Sequence, residues 1–282
     1  VRVLTLLTDF GTTDYYVGAV KGTVLRLAAS GAPPAADRRV ELVDLSHELA
    51  AGDVAAAADL LAAAAPTFPA GTVHLAVVDP GVGSARRILA VRSAEQLFVA
   101  PDNGLLTPFF GPGAEVRSVT RTGLFLDGPG ATFHGRDRFA PTAAALVRGE
   151  PLRDLGPVIG DPVRLEAPAP RREETPDGTV LHGRVVRIDR FGNLVTDVPA
   201  GWVGAGRAGD PGGPEGTVEI AGRSVERWVG HYAQLAEDEP GALIGSLGTV
   251  ELSLRGRSLA ERWGVPRGEP VVIRRAGSRA AG

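Results

Sequence analysis

Near residue 152 the chain changes the kind of secondary structure it can form, and that change limits the fold more than any other feature. Residues 1–8 are an apolar run ending in Asp9-Phe10-Gly11, a strand that enters a turn. Residues 13–29 have helical spacing, with Tyr16, Val20, Val24 and Leu27 on one face. A strand over 40–45 and an Ala/Leu helix over 53–65 follow, with Asp53 placed to cap the helix. A third strand over 72–78 leads into Asp79-Pro80-Gly81-Val82-Gly83, then come a hairpin over 88–91 and 96–100 and a helix over 139–147. This alternation predicts an α/β domain with a mainly parallel, Rossmann-like sheet in three layers, covered on both faces.

The second half reads differently. Pro157, Pro162, Pro168, Pro170 and Pro176 punctuate a polar stretch, which predicts a linker over 161–178 between domains at 1–160 and 179–282. Beyond it lie short β-type segments at 179–188, 194–198, 217–220, 224–228, 242–244, 249–254 and 270–274, separated by Gly/Pro turns. Strands without intervening helices predict a small antiparallel barrel or sandwich. Residues 204–216 read as a mobile Gly/Pro loop.

Composition removes several chemistries. The 282 residues include no cysteine and no methionine, which excludes disulfides, thiolate metal sites, iron–sulfur clusters and cysteine nucleophiles. With 30 basic and 33 acidic residues the net charge is −3, without the basic excess of a nucleic-acid binder. The longest apolar run, 54–65, is broken by Asp59 and falls far short of the ~20 residues that span a bilayer. The chain opens directly on a strand pattern, so the expectation is a cytoplasmic protein without membrane contact.

Ligands of open parallel sheets bind beyond the carboxyl ends of the strands. Asp9 and Asp79 stand at two such ends, Asp102-Asn103-Gly104 follows a third strand, and Thr132-Phe133-His134-Gly135-Arg136-Asp137 precedes a helix. Each alone reads more readily as a turn than as a site; four together point to one crevice. Asp79 and Arg86 are an acid and a base seven residues apart across a Pro/Gly-fixed loop. An ordinary surface pair would contribute only ~0–1 kcal/mol, and Gly81-Val82-Gly83 lacks the spacing of a phosphate loop. His134 has a glycine neighbour that permits close approach of a ligand. Asp189-Arg190-Phe191-Gly192-Asn193 reads as a hairpin turn or as an amide that recognises a base edge or an amino acid.

Leu7-Thr8-Asp9-Phe10-Gly11, the 79–86 loop, Pro101-Asp102-Asn103-Gly104-Leu105-Leu106, Phe133-His134-Gly135-Arg136-Asp137 and Phe191-Gly192-Asn193 occur in this order in S-adenosylmethionine (SAM) hydrolases. The chain resembles that family, the SAM hydroxide adenosyltransferases, over nearly its whole length; the family is related to the fluorinase and chlorinase. The resemblance implies hydrolysis of SAM to adenosine and L-methionine, no cofactor and no metal, an α/β domain followed by a β-barrel, and a homotrimer with active sites between subunits. It places the water-activating triad on Asp79, Arg86 and His134, and the ribose-binding carboxylate on Asp9. Asp14, Asp189 and Ser246 match positions that hold the methionine part, Asn193 and Tyr232 match positions at the adenine, and Glu251 lies near the base.

The departures favour water over halide. The fluorinase has a tyrosine where this chain has Asp79 and a serine where it has Gly135. The halogenases place tryptophans where Gly52 and Val195 stand, and an arginine where Leu247 stands, which leaves Arg255 as a candidate for the methionine carboxylate. Three other readings stay open: a calcium-dependent nucleoside hydrolase using Asp9, Asp14 and Asp102 as oxygen ligands, a non-catalytic adenosine- or SAM-binding regulator, and a SAM halogenase.

Overall fold

The computed structural model describes residues 2–30, 39–128, 130, 132–166, 168–204 and 216–276. The chain divides into two compact units, Val1–Glu166 and Ala167–Gly282.

The first unit is built on β1 (Arg2–Thr8), α1 (Tyr16–Ala28), β2 (Val40–Ser46), α2 (Val54–Ala64), β3 (Val73–Val77), β4 (Ile88–Ser93), β5 (Gln96–Pro101), β6 (Glu115–Ser118) and α3 (Ala140–Val147). Its six strands lie in the order β2-β1-β3-β5-β4-β6. The pairs β2–β1, β1–β3 and β3–β5 are parallel, whereas β5–β4 and β4–β6 are antiparallel. The sheet is therefore mixed, and a Rossmann-like description does not fit its β5-β4-β6 side. The cause is the two-residue connection Ala94-Glu95, both residues at positive φ (47° and 63°). Such a turn joins only antiparallel neighbours.

Strand side chains alternate between faces. Leu4, Leu6, Leu75 and Val77 face a core completed by Val20 and Val24 of α1 and by Ala143 and Leu146 of α3. Leu7, Ala76 and Phe98 face the opposite core with Ala57 and Leu61 of α2. Asp53 caps α2, accepting from the Ala56 N–H at 2.8 Å. Helix α1 begins three residues later than expected, and its buried face is Val17, Val20, Thr23 and Val24. Tyr16, the first residue of α1, is not among the core residues.

The second unit contains β7 (Arg171–Thr175), β8 (Gly178–Ile188), β9 (Leu194–Pro199), β10 (Thr217–Ile220), β11 (Arg223–Val225), β12 (Gly241–Ile244), β13 (Thr249–Ser253), the short helix α4 (Leu259–Trp263) and β14 (Pro270–Ala276). All pairings are antiparallel, in the order β11-β10-β14-β8-β9-β13-β12. Ala242 of β12 exchanges backbone hydrogen bonds with Arg227 (2.8 Å) and Val229 (2.9 Å), just beyond β11, so the sheet nearly closes on itself. Closure of this kind protects the edges of a small antiparallel sheet. Its interior is filled by Leu181, Val185, Leu194, Val250, Leu252, Val271 and Ile273 among others.

Within the segment expected as a linker, Arg171–Thr175 is strand β7 on the edge of β8. Four of its five side chains are exposed, so it carries no apolar period to betray it. Residues 205–215 of the expected mobile loop lie outside the described residues. Among the described residues no helix is long and apolar enough to cross a membrane.

Candidate active site

In the first unit three of the four polar turns picked out in the sequence converge, and the fourth, Asp102-Asn103-Gly104, does not line their cavity. A cavity of about 410 Å³ is lined by Asp9, Phe10, Tyr15, Tyr16, Val77, Asp79, Val82, Thr132, Phe133, His134, Gly135 and Arg136, with Gly130 at its edge. Asp9 follows β1, Asp79 lies two residues beyond β3, and His134 precedes a single turn of π-helix, Gly135–Phe139, which runs into α3.

Arg86 joins the two other members of the expected triad. Its Nε donates to both carboxylate oxygens of Asp79 (2.9 and 3.0 Å), and its Nη2 donates to Asp79 Oδ2 and to His134 Nδ1, the latter at 3.0 Å. All three side chains are nearly buried, the Asp79 and Arg86 side chains at 5% and 9% exposure. The guanidinium also lies over the Phe139 ring, 5.0 Å from its centroid. Arg86 does not line the cavity; it stands behind Asp79 and His134, which do.

Guanidinium groups only donate hydrogen bonds. The ring nitrogen of His134 facing Arg86 must therefore accept, and the neutral imidazole carries its proton on Nε2. Burial, then the charges of Arg138 and Arg86, hold His134 below its ordinary pKa, so the neutral ring is the resting form. Its Nε2 and Arg86 Nη1 are both buried without a partner among the described residues. A buried donor left unpaired is costly; a small polar ligand in the cavity would satisfy it.

Asp9 accepts from the Gly52 N–H at 2.8 Å. Gly52 has φ +75°, so this backbone donor comes from a left-handed turn. The Asp9 turn is held by Gly11 N–H donating to the His47 carbonyl (2.8 Å). Thr8 Oγ1 is paired with His47 Nδ1 at 2.8 Å. A Cβ at Gly135 would stand 3.2 Å from the Phe10 ring, leaving a serine there little room. Asp14 is exposed and does not line the cavity.

The same cavity has an aromatic wall that sequence reasoning missed. Tyr15 stacks on Tyr16 (4.7 Å between centroids), and Phe133 meets Tyr16 edge-on at 5.1 Å and Phe10 at 6.1 Å. Tyr15 and Tyr16 are 64% and 39% exposed. Helical spacing sets Tyr16 on one face with Val20 and Val24, but as the first residue of α1 it stands at the cavity.

In the second unit a cavity of about 750 Å³ is lined by Asp189, Asn193, Tyr232, Ser246, Ser253 and Arg255 among others. Asp189 closes the hairpin tip: its Oδ1 accepts from the N–H groups of Phe191 and Asn193, both at 2.9 Å. Asn193 Nδ2 donates to Asp189 Oδ2 (2.8 Å), and Asn193 Oδ1 accepts from Ser253 Oγ (2.5 Å). Because Asp189 can only accept, the amide orientation is fixed. Gly192 (φ +80°) is required here, since a Cβ would lie 2.0 Å from Ser258 Oγ. Tyr232 donates to Glu251 Oε1 (2.6 Å). Burial and then the Glu251 hydrogen bond raise Tyr232, while burial raises Glu251 despite that bond. Glu251 does not line the cavity, and Ser246 lies exposed on its rim. Ser253 went unrecognised because the β9–β13 register that sets it opposite Asn193, one residue past the Leu252–Leu194 pair, is a long-range fact.

Comparison with known proteins gives one answer for both units. The family model for the SAM hydroxide adenosyltransferase N-terminal domain matches residues 4–156, and that for the C-terminal domain matches residues 183–272. An (R)-S-adenosyl-L-methionine hydrolase of Thermus thermophilus is 39% identical over 284 residues, covering 96% of this chain and 99% of that protein. One from Salinispora tropica is 40% identical over 195 residues, covering 68% of this chain and 70% of its own. A fluorinase of Actinoplanes is 29% identical, covering 70% of this chain and 71% of its own. The crystal structure of a conserved protein from Thermotoga maritima superposes with a TM-score of 0.83 at 29% identity, covering 96% of this chain and all of that one.

Proposed function

The chain belongs to the SAM hydroxide adenosyltransferase family, and we propose from that membership and the geometry above how its residues divide the work. The protein hydrolyses S-adenosyl-L-methionine to adenosine and L-methionine. The electrophile is C5′ of the ribose, attached to a sulfonium. Methionine leaves as a neutral thioether, so no acid is needed at the leaving group, and the demand falls on the water.

One observation carries the assignment of roles: Arg86 occupies His134 Nδ1, so Nε2–H is a donor and not a base. Water placed at Asp79 and His134 accepts a hydrogen bond from Nε2–H and donates one of its own to the Asp79 carboxylate. A lone pair then remains for C5′. As the C5′–O bond forms and the C5′–S bond breaks, the electron pair of the latter goes to sulfur and the water proton moves toward Asp79. Arg86, always protonated, stabilises the developing hydroxide from behind its two partners. Positive sulfonium and incipient hydroxide cancel in the transition state, which a water-poor cavity favours.

Asp9 suits the vicinal hydroxyls of the ribose as a hydrogen-bond acceptor. The rings of Tyr15, Tyr16 and Phe133 offer the sulfonium an aromatic surface, an arrangement worth ~0.5–2 kcal/mol for a ligand cation. In the second unit Asn193 keeps one N–H and one carbonyl lone pair for the adenine edge, with Tyr232 beside it; Glu251 orients Tyr232. Asp189, Asp14 and Ser246 are proposed to hold the methionine amine and carboxylate, with Arg255 as the cationic partner. The two cavities would serve one substrate molecule across a subunit boundary in a homotrimer, as the family resemblance implies.

Calcium chemistry at Asp9, Asp14 and Asp102 fits the chain poorly. Asp102 is engaged by Arg87, Asp9 by Gly52, and among the described residues no group of three acidic or histidine ligands surrounds one point. The test is chromatography of the purified protein incubated with SAM, presented as separate (R) and (S) sulfonium epimers, with a chelator present. Equimolar adenosine and methionine are expected. Adenine release would indicate nucleoside hydrolysis, and tight binding without turnover would indicate a regulator.

A further inference from the structure

The Asp102-Asn103-Gly104 turn contributes no group to either cavity. Asp79 and Arg86 leave the sheet from β3 and β4, and those strands are not neighbours: β5 lies between them. The turn at the end of β5 therefore abuts both. Asn103 Nδ2 donates to the carbonyl of Val78 at 2.9 Å, and its Oδ1 accepts from Leu105 N–H at 3.2 Å. Val78 is the first residue past β3, so this bond fixes the peptide plane that leads into Asp79. Asp102 N–H donates to the Arg87 carbonyl (3.0 Å), and Asp102 Oδ2 accepts from Arg87 Nε (2.6 Å). Arg87 is drawn away toward Asp102 and Asp161, where its Nη1 donates at 2.8 Å. Its neighbour Arg86 goes the other way, to Asp79 and His134.

The turn itself cannot relax. Asp102 Oδ1 accepts from Val163 N–H at 2.8 Å. Gly104 has φ +95°, and a Cβ there would stand 3.0 Å from the Leu165 backbone nitrogen.

We propose that Asn103 and Asp102 are positioning residues that clamp the two ends of the 79–86 loop and so set the Asp79–Arg86–His134 geometry. This rests on the hydrolase reading. Neither residue touches substrate. Their effect is on turnover, because a misplacement of about 1 Å can cost on the order of a hundredfold in rate.

Two variants separate this from general stabilisation. Asn103→Asp keeps an acceptor for Leu105 N–H but sets a carboxylate against the Val78 carbonyl. Asn103→Ser keeps a hydroxyl for the turn and is too short to reach Val78. The expected result for both is a fall in kcat of about tenfold or more, with KM for SAM and affinity for adenosine within about twofold of wild type. In Asn103→Ser the NMR titration of His134 should move up toward its ordinary value, as water reaches the loosened triad. Should Asn103→Asp not fold, Asn103→Ser carries the same comparison. A folded Asn103→Ser with wild-type kcat and an unmoved His134 titration overturns the proposal. So does a loss that appears in KM and adenosine affinity instead. If the wild-type protein forms no adenosine, the hydrolase reading fails separately, and the His134 titration alone decides the clamp.

Discussion

The two cavities are polar in different ways. In the first unit charge meets charge: Arg86 bonds Asp79 and His134 in a nearly dry setting, with donor atoms of Arg86 and His134 left over. In the second, an amide is held between an acceptor and a hydroxyl, and the cavity is larger. Buried charge networks are costly to assemble and strengthen electrostatics where charge develops in a reaction. Neutral amides discriminate by shape and hydrogen-bond pattern. On the proposed assignment the first unit changes a bond and the second recognises what carries it, and each half of this contrast predicts a different kinetic signature.

The largest effect belongs to the charged network. Arg86→Ala should lower kcat by about a hundredfold to a thousandfold, the range for removal of a transition-state donor, while adenosine affinity stays within a few-fold. Equal losses in kcat and adenosine affinity would merge the two roles. Asn193→Ala should do the converse. KM and adenosine dissociation constant should rise about tenfold, consistent with roughly 1–1.5 kcal/mol for an amide pair, at nearly unchanged kcat. Tyr16→Ala should weaken SAM binding by about two- to tenfold, a cation–π magnitude, and leave adenosine binding alone, because adenosine carries no sulfonium. An equal effect on both ligands would assign the aromatic wall to the nucleoside.

Proton-linked effects read the charged network and its scaffold separately. His134 acts neutral, and its pKa is lowered; kcat/KM should therefore stay level on acidification through pH 6.5 and fall only below it, where protonated Nδ1 would confront Arg86. A separate buried histidine tests the scaffold. His74 stacks on Phe98 at 4.8 Å and pairs with Thr5 at 2.8 Å, and burial pushes it down to about 4. The folded pKa is below the unfolded one, so the stabilisation is complete above about 6.5 and is lost as pH falls toward 4, by about 3 kcal/mol. Urea midpoints at pH 7 and pH 4.5 should differ less in His74→Asn, which keeps a partner for Thr5 and does not titrate.

Much of this site was legible because local chemistry declares itself. Strand ends carrying Asp9 and Asp79, the Pro/Gly loop that returns as Arg86, and His134 beside a glycine are short-range patterns; the fold brings Asp9, Asp79 and His134 to one cavity, with Arg86 behind the last two. What was hidden depends on partners far along the chain. Ser253 meets Asn193 only through the β9–β13 register. Tyr16 is the first residue of α1 and lines the cavity, a placement that its i, i+4 spacing to Val20 does not reveal. Strand β7 is polar throughout and held by backbone pairing to β8, which no side-chain period can reveal. Asp102 and Asn103 read as a turn, and are one; their reach to Arg87 and Val78 follows from β5 lying between β3 and β4.

The central claim is direct attack of water on C5′ of SAM. Hydrolysis in water enriched in oxygen-18, followed by mass spectrometry of the nucleoside product, tests it. The account predicts one heavy oxygen per adenosine, located at the 5′-hydroxyl, and none in methionine. Adenosine free of label at that position would contradict it.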